Sequence, residues 1–183
     1  MSPARRPTPD ELAAAAGRTI PDVVGPGLRV LFSGINPGLY SAATGLHFAR
    51  PGNRFWPALH RSGFTERLVD PSEQDILPSL GLGISNVAAR ATARADELTP
   101  AELVEGGAKL AALADQWQPG HLAILGVTAY RVAFARPKAK IGPQPEPLGG
   151  VPVWVLPNPS GLNAHFQLGQ LAEEFARLRK TIG

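Results

Sequence analysis

Two stretches of this 183-residue chain carry the residue types of a polar site: Ser33-Gly34-Ile35-Asn36-Pro37-Gly38 and Pro157-Asn158-Pro159-Ser160-Gly161-Leu162-Asn163. Each sets an Asn-Pro pair and a glycine behind a short apolar run. An asparagine amide both donates and accepts hydrogen bonds without ionising. Glycine lets backbone N–H groups come close to a ligand. Asn-Pro is also an ordinary turn former, so one such stretch means little. Two of them form a candidate site if the fold brings them to one edge, and two plain turns if it does not.

The surrounding pattern predicts how they are placed. Apolar runs at 28–32, 82–87, 121–125 and 151–156 read as strands. Helices are expected from Asn53 to about Arg61, over 127–136, and from about His165 to Lys180. The last has Phe166, Leu171, Phe175 and Leu178 near helical spacing. Three capping signatures open further helices: Thr8-Pro9-Asp10-Glu11, Asp70-Pro71-Ser72-Glu73 and Thr99-Pro100-Ala101-Glu102. Residues 34–53 and the proline-rich 137–150 lack periodicity and read as loops. Strands alternating with helices imply right-handed crossovers and a mostly parallel sheet covered on both faces. Ligands bind beyond the carboxyl ends of such strands, where both Asn-Pro stretches fall. Residues 1–27 read as an N-terminal extension ending in a Pro/Gly linker, and 28–183 as a single domain.

Composition narrows the function classes. With 44% hydrophobic residues the chain can build a core. It has no cysteine, which excludes disulfides, thiolate zinc sites, iron–sulfur clusters and a cysteine nucleophile. The four histidines have no metal-ligand spacing, so no metal and no cofactor are expected. A net charge of +3 is mild support for a polyanionic partner. No secretory signal or membrane span is visible, and a cytoplasmic location is expected. Gly81-Leu82-Gly83 precedes a strand instead of following one, so it fails as a dinucleotide loop.

The two Asn-Pro stretches resemble the paired signature motifs of the uracil-DNA glycosylase superfamily. They are most similar to its mismatch-specific branch, the Mug and thymine-DNA glycosylase family. The likeness continues through Leu39, Thr44-Gly45, Phe48-Ala49, Pro51 and Asn53-Arg54-Phe55-Trp56, then Gly106-Gly107, residues 122–126 and residues 154–162. It implies a three-layer α/β/α fold with a central four-stranded parallel sheet. It also implies a DNA glycosylase that flips uracil, thymine or a modified pyrimidine out of G:U or G:T mismatched double-stranded DNA and hydrolyses its bond to the sugar. A monomer suffices for this chemistry.

Roles follow from that resemblance and the reaction. Hydrolysis of an N-glycosidic bond passes through an oxocarbenium-like sugar, so the enzyme must place a water and stabilise the departing base. Asn36 is expected to position the water. An amide is a weak base, so slow chemistry is expected. The 34–38 loop, with Gly34, Ile35, Pro37 and Gly38, is expected to line the base, and Phe48 to stack on it. Ser41 and Asn158 are further base or phosphate contacts. Gly161-Leu162 supplies a wedge for the gap left by the base, and Ser160 a phosphate contact. Some relatives carry a basic residue where this chain has Ala164, so Asn163 or His165 is expected to replace that contact. Arg50, Arg54, Arg90 and Arg94 are candidates for phosphates. Asp96 is a candidate auxiliary base. The competing readings are a hydrolase of free nucleosides and a binding protein for mismatches or abasic sites that does not cut.

Overall fold

The structure, a computed structural model, describes residues 5–183. Four strands pair in parallel: β1 (Val30–Gly34), β2 (Leu82–Asn86), β3 (His121–Leu125) and β5 (Val153–Leu156). A two-residue strand, β4 (Gly142–Pro143), pairs antiparallel with β5 and makes the sheet five-stranded, in the order β2-β1-β3-β5-β4. This fifth strand comes from the segment read as loop. Its Pro143 is tolerated because an edge strand needs no N–H donor on its open side.

The helices are α1 (Pro9–Ala14), α2 (Leu39–Thr44), α3 (Phe55–Arg61), α4 (Pro100–Trp117), α5 (Val127–Ala133) and α6 (Leu168–Ile182). The capping boxes at Thr8 and Thr99 form as expected, with Glu11 N and Glu102 N donating to the threonine hydroxyls at 3.2 and 3.1 Å. The box at Asp70 opens a 3-10 stretch, Pro71–Leu80, instead of an α-helix. Pro78 lies inside it and has no N–H for an α-helical bond. The short helix α2 sits in the segment read as loop, because six residues are too few to display a period.

Successive residues of β1 point to opposite faces, and both faces are covered. Phe32 meets the rings of Phe55 and Phe64 edge-on at 5.5 Å and stacks on Phe175 at 5.8 Å, beneath α3 and α6. Leu31 packs on the other side with Leu110, Ile124 and Tyr130, beneath α4 and α5. Each fully buried side chain of this size contributes roughly 1.5–3 kcal/mol. The result is three layers, helices on sheet on helices.

The chain runs outward from β1 to β2 and, across the sheet, from β3 to β5, so the winding reverses between β1 and β3. The loops that follow these two strands diverge there and leave a crevice. No helix among the described residues is long and apolar enough to cross a membrane.

Candidate active site

A cleft of about 690 Å³ opens beyond the carboxyl ends of the parallel strands. Gly34 at the end of β1, Asn86 at the end of β2, Gly126 after β3 and Pro157 after β5 all line it. Both Asn-Pro loops therefore face one cavity. Of the residues singled out from the sequence, Ile35, Asn36, Pro37, Gly38, Ser41, Phe48, Arg50, Arg94, Asp96, Asn158, Ser160, Leu162, Asn163 and His165 line it with Gly34. Gly161, Arg54 and Arg90 do not.

Asn36 is held in one orientation. Its Nδ2 donates to the Arg90 carbonyl at 2.9 Å and to Thr92 Oγ1 at 2.8 Å. The Thr92 hydroxyl in turn donates to the Arg94 carbonyl at 2.6 Å. A hydroxyl has one proton, so Thr92 meets Asn36 only as an acceptor. Both acceptors demand the nitrogen of the amide, which leaves Oδ1 on the opposite side with no hydrogen-bond donor from the described residues. The backbone locks the same contact: Val87 N, Ala88 N and Thr92 N donate to the carbonyls of Gly34, Ile35 and Pro37.

Phe48 lines the cleft beside Gly34. Its backbone is left-handed, at φ +52°, which is uncommon for a side chain of this size. Its neighbours are tied down: His47 N donates to Gln74 Oε1 at 2.8 Å, and Ala49 N donates to Ser41 Oγ at 3.3 Å. The Phe48 ring stacks on buried Phe55, centroids 4.2 Å apart, so one face is braced while the residue lines the cleft. Ser41 thus supports the Phe48 turn from beneath. A Cβ on Gly34 would come within 2.6 Å of Asn86 Oδ1 and 3.1 Å of the Phe48 ring, so a larger residue would displace both side chains.

The second loop is bound largely to itself. Ser160 N donates to Asn158 Oδ1 at 2.9 Å, and Leu162 N to Ser160 Oγ at 3.2 Å. Asn163 uses both ends of its amide inside the loop, giving Nδ2 to the Asn158 carbonyl and accepting from His165 N. At the tip, Leu162 is 71% exposed. Gly161 packs against Gly52, where a Cβ would lie 2.8 Å from the Gly52 carbonyl oxygen.

Arg54 fastens this loop. Its guanidinium donates to the carbonyls of Phe166, Ser160 and Asn163, the last at 2.9 Å, and its backbone N–H donates to Pro159 O. The phosphate role read for Arg54 from the sequence is revised accordingly: the guanidinium points into the protein. Arg90 likewise pairs with Glu102 through two hydrogen bonds, at 2.9 and 3.0 Å. That contact holds the Arg90 pKa above its ordinary value and the Glu102 pKa below. Arg54 would give up its carbonyl partners to reach a phosphate, whereas Arg90, its side chain 44% exposed, binds through Nε and Nη2 and leaves Nη1 without a hydrogen-bond partner among the described residues. Arg50 is exposed, lines the cleft and has no ion-pair partner among the described residues. Arg94 pairs with Asp96 at 3.0 Å on the rim, both side chains more than two-thirds exposed.

Three residues of the site were not singled out from the sequence. Thr92 orients Asn36. Asn86 lines the cleft beside Gly34 and Phe48. Its place at the carboxyl end of a strand was the available signal. His47, buried at 2% exposure, donates Nε2–H to the Pro21 carbonyl at 2.8 Å, and burial pushes its pKa down. A carbonyl only accepts, so Nε2 carries the proton.

The sequence matches the family model described as the uracil DNA glycosylase superfamily over residues 21–181. The match takes in every strand, both Asn-Pro loops and all of the cleft lining but Ile20, and begins after α1. The chain belongs to the uracil DNA glycosylase superfamily, whose members are hydrolases that act on DNA.

Proposed function

We propose that this protein is a monofunctional, monomeric glycosylase of the mismatch-specific branch. In this reading it excises uracil, and thymine or modified pyrimidines, from G-mismatched duplex DNA to initiate base excision repair. The observation that carries it is the fixed orientation of Asn36, which leaves a neutral acceptor, Oδ1, facing away from its two anchors. A water bonded there is aimed by geometry more than activated by basicity.

The reaction runs as a hydrolysis. The bond from C1′ to the base nitrogen breaks, and its electron pair leaves with the base. Oxygen from the water bonds C1′, and the water's proton passes to solvent, from which the base is reprotonated. The flipped base stacks on the free face of Phe48 against the 34–38 loop. Asn86 presents an amide, able to donate and accept, to the base edge. Leu162 fills the vacated stack, where unstacking costs a few kcal/mol and least at a mispair. Arg50, Ser160 and His165 contact the strands. Asn158 keeps its amide nitrogen for base or phosphate, because its oxygen is taken by Ser160 N. Asp96 relays the water's proton to solvent; an unchanged single-turnover rate for Asp96→Asn on uracil and thymine would remove it from the mechanism.

The test is excess protein on a labelled duplex carrying one uracil opposite guanine, with and without alkaline cleavage, beside Asn36→Ala. Alkali-dependent product is expected, falling roughly 100-fold or more in the variant. Product that survives in the variant moves water positioning elsewhere. No product from any mispaired base, with tight binding to abasic duplex, leaves a binding protein.

A further inference from the structure

Residues 15–23 contact two segments that bear on the cleft, one at Ala91 and one at His47. On the Asn36 side, Gly17 N donates to the Ala91 carbonyl and Ala91 N donates to the Arg18 carbonyl, each at 2.9 Å. These reciprocal bonds grip the one residue between Arg90 and Thr92, the two acceptors of the Asn36 amide. Ala91 is 1% exposed and packs with Ala15 of the α1 C-cap and Ala42 of α2. Further along the segment, the Pro21 carbonyl receives His47 Nε2–H next to Phe48, and Ile20 lines the cleft itself.

The stretch from 87 to 94 has no helix or named strand of its own. Its geometry depends on what it is tied to. Without residues 17 and 18, Ala91 would keep a buried N–H and C=O unpaired, which a protein interior does not tolerate. The backbone would move to find partners, carrying the Arg90 carbonyl and the Thr92 hydroxyl with it.

We propose that the N-terminal segment, residues 15–20, is a positioning element of the active site. It clamps Ala91 and so keeps the Asn36 amide turned with Oδ1 toward the water. The proposal rests on the reading of Asn36 given above. All of this segment lies outside the region that matches the family, which begins at residue 21, so the chain supplies from its own N-terminus a support for the catalytic loop.

The test uses the full chain with Ala15→Glu, which cannot fit against Ala42 and Ala91. Gly17→Val, strained at φ +81°, serves as the milder variant should the first not fold, and Ala13→Glu, on the exposed face of α1, as the control. Single-turnover release of uracil opposite guanine is expected to fall about tenfold, a loss that a sub-ångström misplacement produces. Affinity for a duplex with an abasic analogue should change by less than about twofold, because the wedge loop is untouched. In an Asn36→Ala background the same substitutions should cost no further rate. An equal loss in both backgrounds, or an unchanged rate in the wild-type background, overturns the proposal.

A second readout does not need turnover. The Asn36 side-chain amide protons, bonded to Arg90 O and Thr92 Oγ1, are expected to exchange slowly in a ¹⁵N spectrum and to lose that protection in Ala15→Glu. Retained protection overturns the clamp. A wild-type protein that releases no base removes the glycosylase reading, and the clamp is then decided by these protons alone.

Discussion

The hydroxyl of Thr92 gives its only proton to the Arg94 carbonyl, 2.6 Å away, and therefore meets Asn36 Nδ2, 2.8 Å away, as an acceptor. An amide that is free to flip would present its nitrogen to the water half the time. Thr92→Val keeps the shape and removes the acceptor, leaving Asn36 with the Arg90 carbonyl alone. The single-turnover rate should fall about 3- to 10-fold, the worth of one net hydrogen bond. Thr92→Ser should retain most of the wild-type rate. Equal rates for all three proteins would mean that Thr92 does not orient Asn36.

Leu162 is the most exposed large apolar side chain on the described surface. Leu162→Ala should leave the unfolding free energy almost unchanged, within about 0.5 kcal/mol, since it opens no cavity. Its cost should appear only where a base must be unstacked. The rate on uracil within a stable duplex should drop more than on single-stranded uracil, where little unstacking is needed. A parallel drop on both substrates would assign Leu162 to something other than a wedge.

Arg50 and Arg54 are four residues apart and should fail in opposite ways. Arg54→Met strips the donors from three loop carbonyls and should destabilise the fold by about 2–4 kcal/mol. For a chain of this size that is a fall of several degrees in Tm. Arg50→Gln should leave Tm alone and reduce the slope of log affinity against log salt by about one, the signature of one lost phosphate contact. Calorimetry and a salt titration separate the two.

His47 makes stability depend on pH. Burial lowers its pKa from the ordinary 6.5, so the unfolded chain takes up a proton at a pH where the folded one does not. The unfolded state then holds more protons, and stability falls as pH drops below about 6.5 toward the folded pKa. His121 is shifted the same way by burial and adds to the slope. Urea midpoints between pH 7.5 and 5 should fall for the wild type and less steeply for His47→Asn. Identical slopes would exclude His47 as a contributor.

Much of this was legible in the amino-acid sequence because its causes are local. The capping boxes at Thr8 and Thr99 are satisfied within four residues of chain. The parallel strands announce themselves as short apolar runs, since both faces of such a sheet are buried. The two Asn-Pro loops, with Gly161-Leu162 in the second, lie in consecutive residues. What only the tertiary structure decided involves partners far apart in the chain. Arg54 looked like a surface cation and is an internal fastener, because carbonyls more than 100 positions away converge on it. Thr92 and Asn36 are 56 residues apart, and Ala91 meets Arg18 from the far N-terminus. Side-chain type states what a residue is able to bond. Which of its possible partners it meets is set by the crossing of β1 with its neighbours, and that contact exists only once the sheet has formed.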